Sequence, residues 1–232
     1  MKIEQIAVQL YTLRDFTKTP DDFAATMKRV REIGYHAVEL AGTAGLPPAE
    51  AAKIVRDAGL EICSSHESPQ MILENPQQVV DRLAELGITY AVCPSSGTVD
   101  LLDAAQVKER IAGLGAAGAV LHRAGMTLCY HNHHYEFFKS GNRTVLDQIF
   151  DNTSPEHLQA ELDIHWVQAG GVDPVEACHR LTGRLPLLHV KDYAVTAKGE
   201  RKFAEVGHGN LNIPKILAAA EAAGCQWFIV EQ

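Results

Sequence analysis

Three histidines and a glutamate lie within six positions of one another in the segment LCYHNHHYEF (residues 128–137), directly after an apolar run. Imidazole nitrogens and carboxylate oxygens are common ligands of divalent metal ions. If a strand runs through this segment, the alternation of side chains puts His131 and His133 on one face and His134 on the other. His131 is then the favoured ligand, His133 is a neighbour that can contact a substrate, and Glu136 follows on a loop.

Residues of the same types end other apolar runs. Asp163, His189 and Glu231 each close a different run of strand-like sequence, and His66 stands at a comparable position earlier in the chain. Nitrogen and carboxylate ligands that converge from separate strands are what a divalent ion requires. Together with His131, the residues at the last three strand ends therefore predict a site for one divalent ion, which could be Mn²⁺, Co²⁺, Zn²⁺ or Mg²⁺.

Eight short apolar runs alternate with segments of helical period along the whole chain. This order is typical of repeated βα units and a parallel sheet. Glycines such as Gly34 and Gly87 close the predicted helices. Because the βα pattern repeats eight times with no change of composition, we predict one (β/α)8 TIM-barrel domain over residues 1–232. The predicted strands are 3–11, 36–40, 60–66, 90–94, 126–132, 158–164, 185–191 and 226–231.

Composition limits the class of protein. Of the 232 residues, 46% are hydrophobic and 22% are charged, and no apolar run approaches the roughly 18 residues of a membrane helix. A formal net charge of -8 disfavours a nucleic-acid partner. The N-terminal residues lack a signal-peptide pattern and the five cysteines form no close pair, so we expect reduced thiols and a cytoplasmic protein.

Several motifs together resemble the xylose isomerase-like barrel family of sugar isomerases, epimerases and related lyases. They are IAVQLYTLRD, YHNHHYEF, ELDIHWVQAGGVDP, LLHVKDY, VGHGNLNIPKIL and WFIVEQ, and the likeness runs from residue 3 to the end. The resemblance implies one divalent ion, commonly Mn²⁺, with Asp163, His189 and Glu231 as ligands from the last three strands. At strand five, His131 stands where the family usually has glutamate, so His131 or Glu136 is the expected fourth ligand. The YHNHxxEF pattern is more similar to the inosose dehydratase-like branch than to the epimerases.

The resemblance also implies a chemistry. An ion chelated by a sugar carbonyl and its adjacent hydroxyl acidifies the proton next to the carbonyl by stabilising the enediolate. Return of that proton isomerises or epimerises the sugar, and loss of a β-substituent is an elimination. We expect Glu136 or Glu231 to be the base, and His66 is the next candidate. The residues expected to contact the substrate are Gln9, Tyr11, His133, Lys191 and His208, although Lys191 has the alternative of an ion pair with Asp192.

Alternatives remain at this stage. A lyase or dehydratase acting on a keto-sugar or inosose would use the same site. A barrel without catalysis would only bind a sugar, and the replacement of glutamate at strand five keeps this possibility. A DNA-repair endonuclease of the same family would need more metal ligands and a basic surface, which this acidic chain does not supply.

The last residues, FIVEQ, belong to the eighth predicted strand. A closed barrel normally follows this strand with a helix over the seam between strands eight and one. Without that helix, the outward side chains of WFIV and IAVQL would form an exposed apolar strip. We therefore expect a homo-oligomer, a longer natural chain, or cover of the seam by residues 194–204.

Overall fold

Eight parallel strands form a closed barrel in the computed structural model, which describes residues 1–95 and 99–232. Each barrel strand pairs with the preceding and following barrel strands, and the first pairs with the eighth. The TIM-barrel prediction is confirmed. Numbered one to eight, the barrel strands are Ile6–Gln9, Ala37–Leu40, Glu61–His66, Tyr90–Cys93, Thr127–His131, Gln159–Asp163, Leu187–Val190 and Trp227–Val230.

All eight strands lie inside their predicted ranges, and the first, Ile6–Gln9, is the most shortened relative to its range of 3–11. Short 3₁₀ helices, Ile3–Gln5 and Leu10–Phe16, flank it. The side-chain oxygen of Gln9 accepts a hydrogen bond from the backbone N–H of Tyr11 at 3.0 Å. This local bond turns the chain and ends the strand.

Helices cover the outside of the barrel. The first begins where the Thr19 hydroxyl accepts a hydrogen bond from the backbone N–H of Asp22 (3.2 Å), and it ends at Gly34 with a φ of 115°. Such caps satisfy backbone groups that have no partner inside the helix. The α-helices are Pro20–Ile33, Pro48–Asp57, Pro69–Glu74, Pro76–Leu86, Ala104–Arg123, Val145–Asp151, Ile164–Ala169, Pro174–Arg180 and Ile213–Ala222. None in the described part of the chain is long and apolar enough to cross a membrane.

Additional short elements decorate the loops that follow strands five and seven. A 3₁₀ turn, Tyr135–Phe137, precedes a small antiparallel hairpin of Lys139–Ser140 and Arg143–Thr144. After strand seven, Asp192–Val195 pairs with Arg201–Ala204, and we call this pair the 192–204 hairpin.

The barrel interior has an apolar floor of mostly small and medium-sized side chains. It consists of Ala7, Ala37, Cys63, Val92, Cys129, Leu187 and Ile229. Because inward-facing residues alternate along a strand, the residue two positions after a floor residue lies one layer nearer the carboxyl ends of the strands. His131, His189 and Glu231 follow floor residues in this way, so they form a polar layer directly above the floor. All five cysteines are free and buried.

The seam between strands one and eight is better covered than the sequence suggests. Val8 is 4% exposed and Phe228 2% exposed, while Ile6 and Val230 are half-buried. Val8 belongs to an apolar cluster with residues of the 20–33 helix, and Phe228 to one with residues of the 213–222 helix. The predicted bare strip is therefore wrong for Val8 and Phe228, because helices on both sides of the seam reach them.

Candidate metal centre

Four candidate ligands meet at the carboxyl ends of strands five to eight. One donor atom from each of His131, Asp163, His189 and Glu231 lies within 4.8 Å of the others. His131, Asp163 and His189 are at most 3% exposed, whereas the Glu231 side chain is 12% exposed. The structure thus brings together the four residues that the sequence proposed as ligands.

Asp163 is held in place by its own backbone surroundings. One carboxylate oxygen, Oδ1, accepts a hydrogen bond from the backbone N–H of Trp166 (2.9 Å) and so caps the 164–169 helix. The Asn132 side-chain oxygen accepts a hydrogen bond from the backbone N–H of Asp163 at 3.0 Å, which ties strands five and six together. The other carboxylate oxygen, Oδ2, is buried without a hydrogen-bond partner among the described residues. A buried oxygen of this kind requires a cation or a donor.

Two further carboxylates lie behind the histidines. Glu161 Oε2 is 3.0 Å from His131 Nδ1 and 3.1 Å from His189 Nε2. Glu39 Oε1 is 2.6 Å from His189 Nε2 and also accepts a hydrogen bond from the Gln9 amide at 2.6 Å. Carboxylates that hold one ring nitrogen of a histidine fix its orientation and leave the other nitrogen for a metal ion.

The charges of this cluster depend on one another. Burial disfavours the charged form of His189, but the neighbouring Glu161 and Glu39 outweigh it and raise the pKa of His189 well above its usual value. The same two carboxylates outweigh burial at His66 and raise its pKa to about 10. Burial raises the pKa of Asp163. Unlike Glu39, Glu161 and Glu231, this acid forms no ion pair with a histidine of the described part of the chain. Without a metal ion, protons on His66 and His189 therefore balance part of the negative charge of the acids.

The donor set fits a divalent cation. Four carboxylates, those of Glu39, Glu161, Asp163 and Glu231, surround histidines that are neutral when they bind metal. Within the described residues, the Lys191 ammonium lies beside one of them, at 3.5 Å from Glu231 Oε1. Glu161 Oε1 and Asp163 Oδ2 are both buried and unpartnered within the described residues. A second group of donors, His66, His131, Glu161 and His189, also lies within 4.8 Å and shares two histidines with the first. Mixed imidazole and carboxylate donors suit Mn²⁺, Zn²⁺, Co²⁺ or Mg²⁺ and do not select one of them.

A cleft of about 200 Å³ opens above the donors, and we call it the mouth cleft. Its walls include candidate substrate contacts Tyr11 and His133, the proposed acid or base His66, and Glu231. It is lined by Tyr11, Ala41, His66, Pro94, His131, His133 and Glu231. Burial, with a smaller contribution from the charge of His131, lowers the pKa of His133 to about 3. His133 is therefore neutral near pH 7 and can accept a hydrogen bond from a ligand.

Lys191 and Asp192 do not pair with each other. The Lys191 ammonium lies 3.5 Å from Glu231 Oε1. The Asp192 carboxylate accepts hydrogen bonds from the backbone N–H groups of Tyr193, Gly207, Gly209 and Leu211. A Cβ atom at Gly209 would collide with this carboxylate. Asp192 thus organises the 207–211 loop, and Lys191 remains directed at the donor cluster.

Three other predicted site residues lie elsewhere. The buried Glu136 carboxylate accepts hydrogen bonds from the Tyr130 hydroxyl (2.7 Å) and from the backbone N–H of His133 (2.8 Å), and it is not part of either donor group. Gln9 lies below the cleft, where it supports Glu39. His208 is exposed on the 207–211 loop and does not line the mouth cleft.

Sequence reasoning missed Glu161 and assigned no role to Glu39. Glu161 stands in the middle of strand six, two residues before Asp163, so a search of strand ends passes over it. The alternation of strand residues would have found it, because Gln159, Glu161 and Asp163 share one face. Glu39 is the next-to-last residue of strand two, but its part in the site depends on His189, which is 150 positions away in sequence.

A family model described as xylose isomerase-like TIM barrel matches residues 27–232. The chain belongs to this family. Its members among known proteins therefore provide the context for the donor cluster and the mouth cleft.

Among solved structures, this xylose isomerase-like barrel is similar to a sugar phosphate isomerase/epimerase from Parabacteroides distasonis ATCC 8503. The two are 25% identical with a TM-score of 0.80, over 100% of this chain and 87% of the other. An inosose dehydratase from Geobacillus kaustophilus (strain HTA426) is 23% identical over 72% of this chain, and the chain spans 60% of the length of that relative. A xylose isomerase-like TIM barrel protein from Mycobacterium smegmatis, in complex with magnesium, has the same fold at 17% identity and a TM-score of 0.75, over 98% of this chain and 89% of the other. Homologues of this chain thus include sugar isomerases or epimerases and a dehydratase.

Proposed function

We propose that the chain is a divalent-metal-dependent isomerase or epimerase that moves a proton next to the carbonyl of a sugar or keto-sugar. The observation that carries the proposal is the convergence of His131, Asp163, His189 and Glu231 beneath an open cleft. Mn²⁺ is the first candidate for the ion, and Co²⁺, Zn²⁺ and Mg²⁺ are alternatives. The printed name of the Parabacteroides distasonis relative agrees with this class of reaction.

The bound ion would supply positive charge that stabilises the oxyanion formed when a proton leaves the carbon next to a carbonyl. The side chains have the other tasks. His131 and His189 are oriented by carboxylates, and His133 and Tyr11 line the space in which a small polar substrate would lie.

Glu231 is the proposed proton acceptor. Burial raises its pKa, but a hydrogen bond and the charge of His189, with Lys191 nearby, outweigh burial and lower the pKa of Glu231 below its usual value. It is therefore ionised at neutral pH, and it borders the mouth cleft. Glu136 is not proposed as the base, since its carboxylate is buried against Tyr130 and the backbone of His133.

His66 is the proposed proton donor, and it lines the mouth cleft together with Glu231. Its Nε2 lies 2.8 Å from Glu161 Oε2, and its raised pKa of about 10 keeps it protonated at neutral pH when no ion is present. A donor and a base in one cleft could together return a proton to an oxygen or assist a leaving group.

Elimination is the second candidate reaction. The inosose dehydratase relative supports it, and the same base and donor would serve, because loss of a β-hydroxyl needs a proton acceptor at carbon and a donor at oxygen. A barrel that binds sugars without catalysis is the remaining alternative.

Proton exchange in D₂O tests the proposal. Metal-replete protein is incubated with a panel of keto-sugars and inososes, and NMR follows deuterium incorporation, isomerisation and elimination. His189→Ala should lose both the ion and exchange, whereas His179→Ala, an exposed control on the 174–180 helix, should keep both. Binding of a sugar without exchange would support the silent barrel, and full metal occupancy in His189→Ala would contradict the assigned centre.

A further inference from the structure

A second cleft of about 500 Å³ adjoins the candidate metal centre on the side of strands six and seven. It lies between the 164–169 helix and the 192–204 hairpin, and we call it the side cleft. It is lined by His134, His165, Trp166, Ala169, Arg201, Lys202 and Phe203.

The charges around the side cleft are of one sign. Arg201 and Lys202 are exposed on its rim, and neither forms an ion pair with any residue that the structure describes. None of the described lining residues is acidic. In a chain with a formal net charge of -8, two adjacent unpaired cations at the edge of a cleft mark a site that attracts anions.

Lys191 connects the side cleft to the metal centre. Its ammonium is 3.5 Å from Glu231 Oε1, and it also lies 4.7 Å from the centre of the Phe203 ring and 5.5 Å from that of Trp166. One molecule extending past Lys191 would therefore contact both the mouth cleft and the side cleft. Its reacting carbons would lie in the mouth cleft and its other end in the side cleft.

The geometry points to an anion subsite: we propose that the side cleft binds an oxyanion, a phosphate or a carboxylate, carried by the sugar at the end remote from its reacting carbons. The inference rests on the proposed function, because it names a feature of that substrate. Arginine and lysine are the side chains best suited to bind such groups. The Lys191 ammonium already covers one face of Phe203, which leaves less aromatic surface for stacking a neutral ring.

Titration calorimetry of metal-loaded protein with glucose 6-phosphate, gluconate and glucose tests the subsite directly. The variant Arg201→Gln/Lys202→Gln removes both rim cations. Its control, Lys28→Gln/Arg29→Gln, removes another adjacent pair of exposed cations, on the 20–33 helix. We expect the rim variant to bind at least one charged probe about tenfold or more weakly, while the control binds as the parent does.

The affinities of the three probes for the rim variant distinguish a phosphate subsite from a carboxylate subsite. Loss of affinity for glucose 6-phosphate alone identifies a phosphate subsite, and loss for gluconate alone identifies a carboxylate subsite. The proposal is overturned if the rim variant binds the charged probes normally, if no charged probe binds at millimolar concentration, or if glucose loses affinity equally. The last result would indicate that the side cleft binds neutral sugar rings.

Kinetics separates this inference from the proposed function. With a substrate that carries the oxyanion, the rim variant should raise KM about tenfold and change kcat by less than about twofold. If no sugar undergoes exchange but the titration result holds, the proposed reaction fails and the anion subsite stands. If exchange occurs and KM does not change in the rim variant, the reaction stands and the subsite fails.

Discussion

The histidines of the candidate centre have carboxylate partners on the side away from the cleft. Glu161 contacts His131 and His189, and Glu39 contacts His189. Such contacts set which ring nitrogen carries the proton and increase the basicity of the other nitrogen, which binds the metal ion. The affinity for an ion should therefore depend on residues that are not themselves among the four predicted ligands.

Glu161→Gln tests this dependence. The amide keeps the size of the side chain but removes its negative charge, so affinity for Mn²⁺ should fall by about 10- to 100-fold. Titration calorimetry gives the affinity, and Glu109→Gln, on the exposed face of the 104–123 helix, is the control. Unchanged affinity would mean that Glu161 does not orient the ligands, and a complete loss would place it among them.

Glu231→Gln and Glu136→Gln form a matched pair. At saturating metal, Glu231→Gln should lower kcat for proton exchange by a factor on the order of 10² or more. Glu136→Gln should keep kcat but lower the free energy of unfolding by about 1–3 kcal/mol, because its buried oxygens accept hydrogen bonds from Tyr130 and His133. A folded Glu136→Gln variant with greatly reduced kcat would restore Glu136 as the base.

The convergence of the four predicted ligands could be foreseen from sequence because each one lies at or next to the end of a strand in a fold where strand ends converge. Glu136 could not be placed in the same way. Its position depends on the Tyr130 hydroxyl, which projects from the outer face of strand five, and on a 3₁₀ turn that reverses the chain. Neither contact follows from the spacing of residues in YHNHHYEF.

At the scale of elements, periodicity and helix caps were sufficient to predict all eight barrel strands. They did not predict the 192–204 hairpin. Its strands have four residues each and are half-exposed or exposed for most of their length, so they lack the buried alternation that marks a strand in sequence. The hairpin is set instead by cross-strand pairing and by the contacts of Asp192 with the following loop.

Arg184, which precedes strand seven, links the 145–151 helix to the segment that leads into strand six. Its guanidinium donates hydrogen bonds to the backbone carbonyls of Phe150 (2.6 Å), Thr153 (3.1 Å) and Leu158 (2.7 Å). Lysine has one charged nitrogen and cannot reach these carbonyls together. Arg184→Lys should lower the free energy of unfolding by about 2–4 kcal/mol, measured by urea denaturation. Arg29→Lys, an exposed control, should have no effect, and equal stability of both variants would contradict this role.

At the scale of the whole molecule, the apolar interior protects every thiol. Burial raises the pKa of Cys93 to about 11 and those of Cys178 and Cys225 to about 12, and it raises those of Cys63 and Cys129 well above the usual value. A higher pKa leaves less reactive thiolate at any pH below it. Near pH 8, native protein should react with a disulfide reagent on the order of 10² times more slowly than free cysteine. All five cysteines should react after unfolding, and fast labelling of folded protein would refute the prediction.

Large apolar side chains are exposed on the segments that follow barrel strands one, four, five and seven. They include Phe16 (66% exposed), Leu102 (78%), Phe138 (41%) and Phe203 (52%). A homo-oligomer remains our proposal, since a second copy could cover some of this surface. Light scattering should then give a multiple of 25.3 kDa. A monomer of that mass that binds no hydrophobic dye would argue against it.

The contacts of Asp192 indicate which part of the 192–204 hairpin can vary in sequence and length. One buried carboxylate holds the start of the hairpin and the 207–211 loop through four backbone hydrogen bonds. The turn at residues 196–200, by contrast, is exposed except for the half-buried Thr196, and it forms hydrogen bonds among its own residues. The turn can therefore change in length or composition while the base of the hairpin stays in place. Selection, or a protein engineer, could alter which molecules are accepted by exchanging this turn and the adjacent rim residues, without disturbing the histidines and carboxylates below.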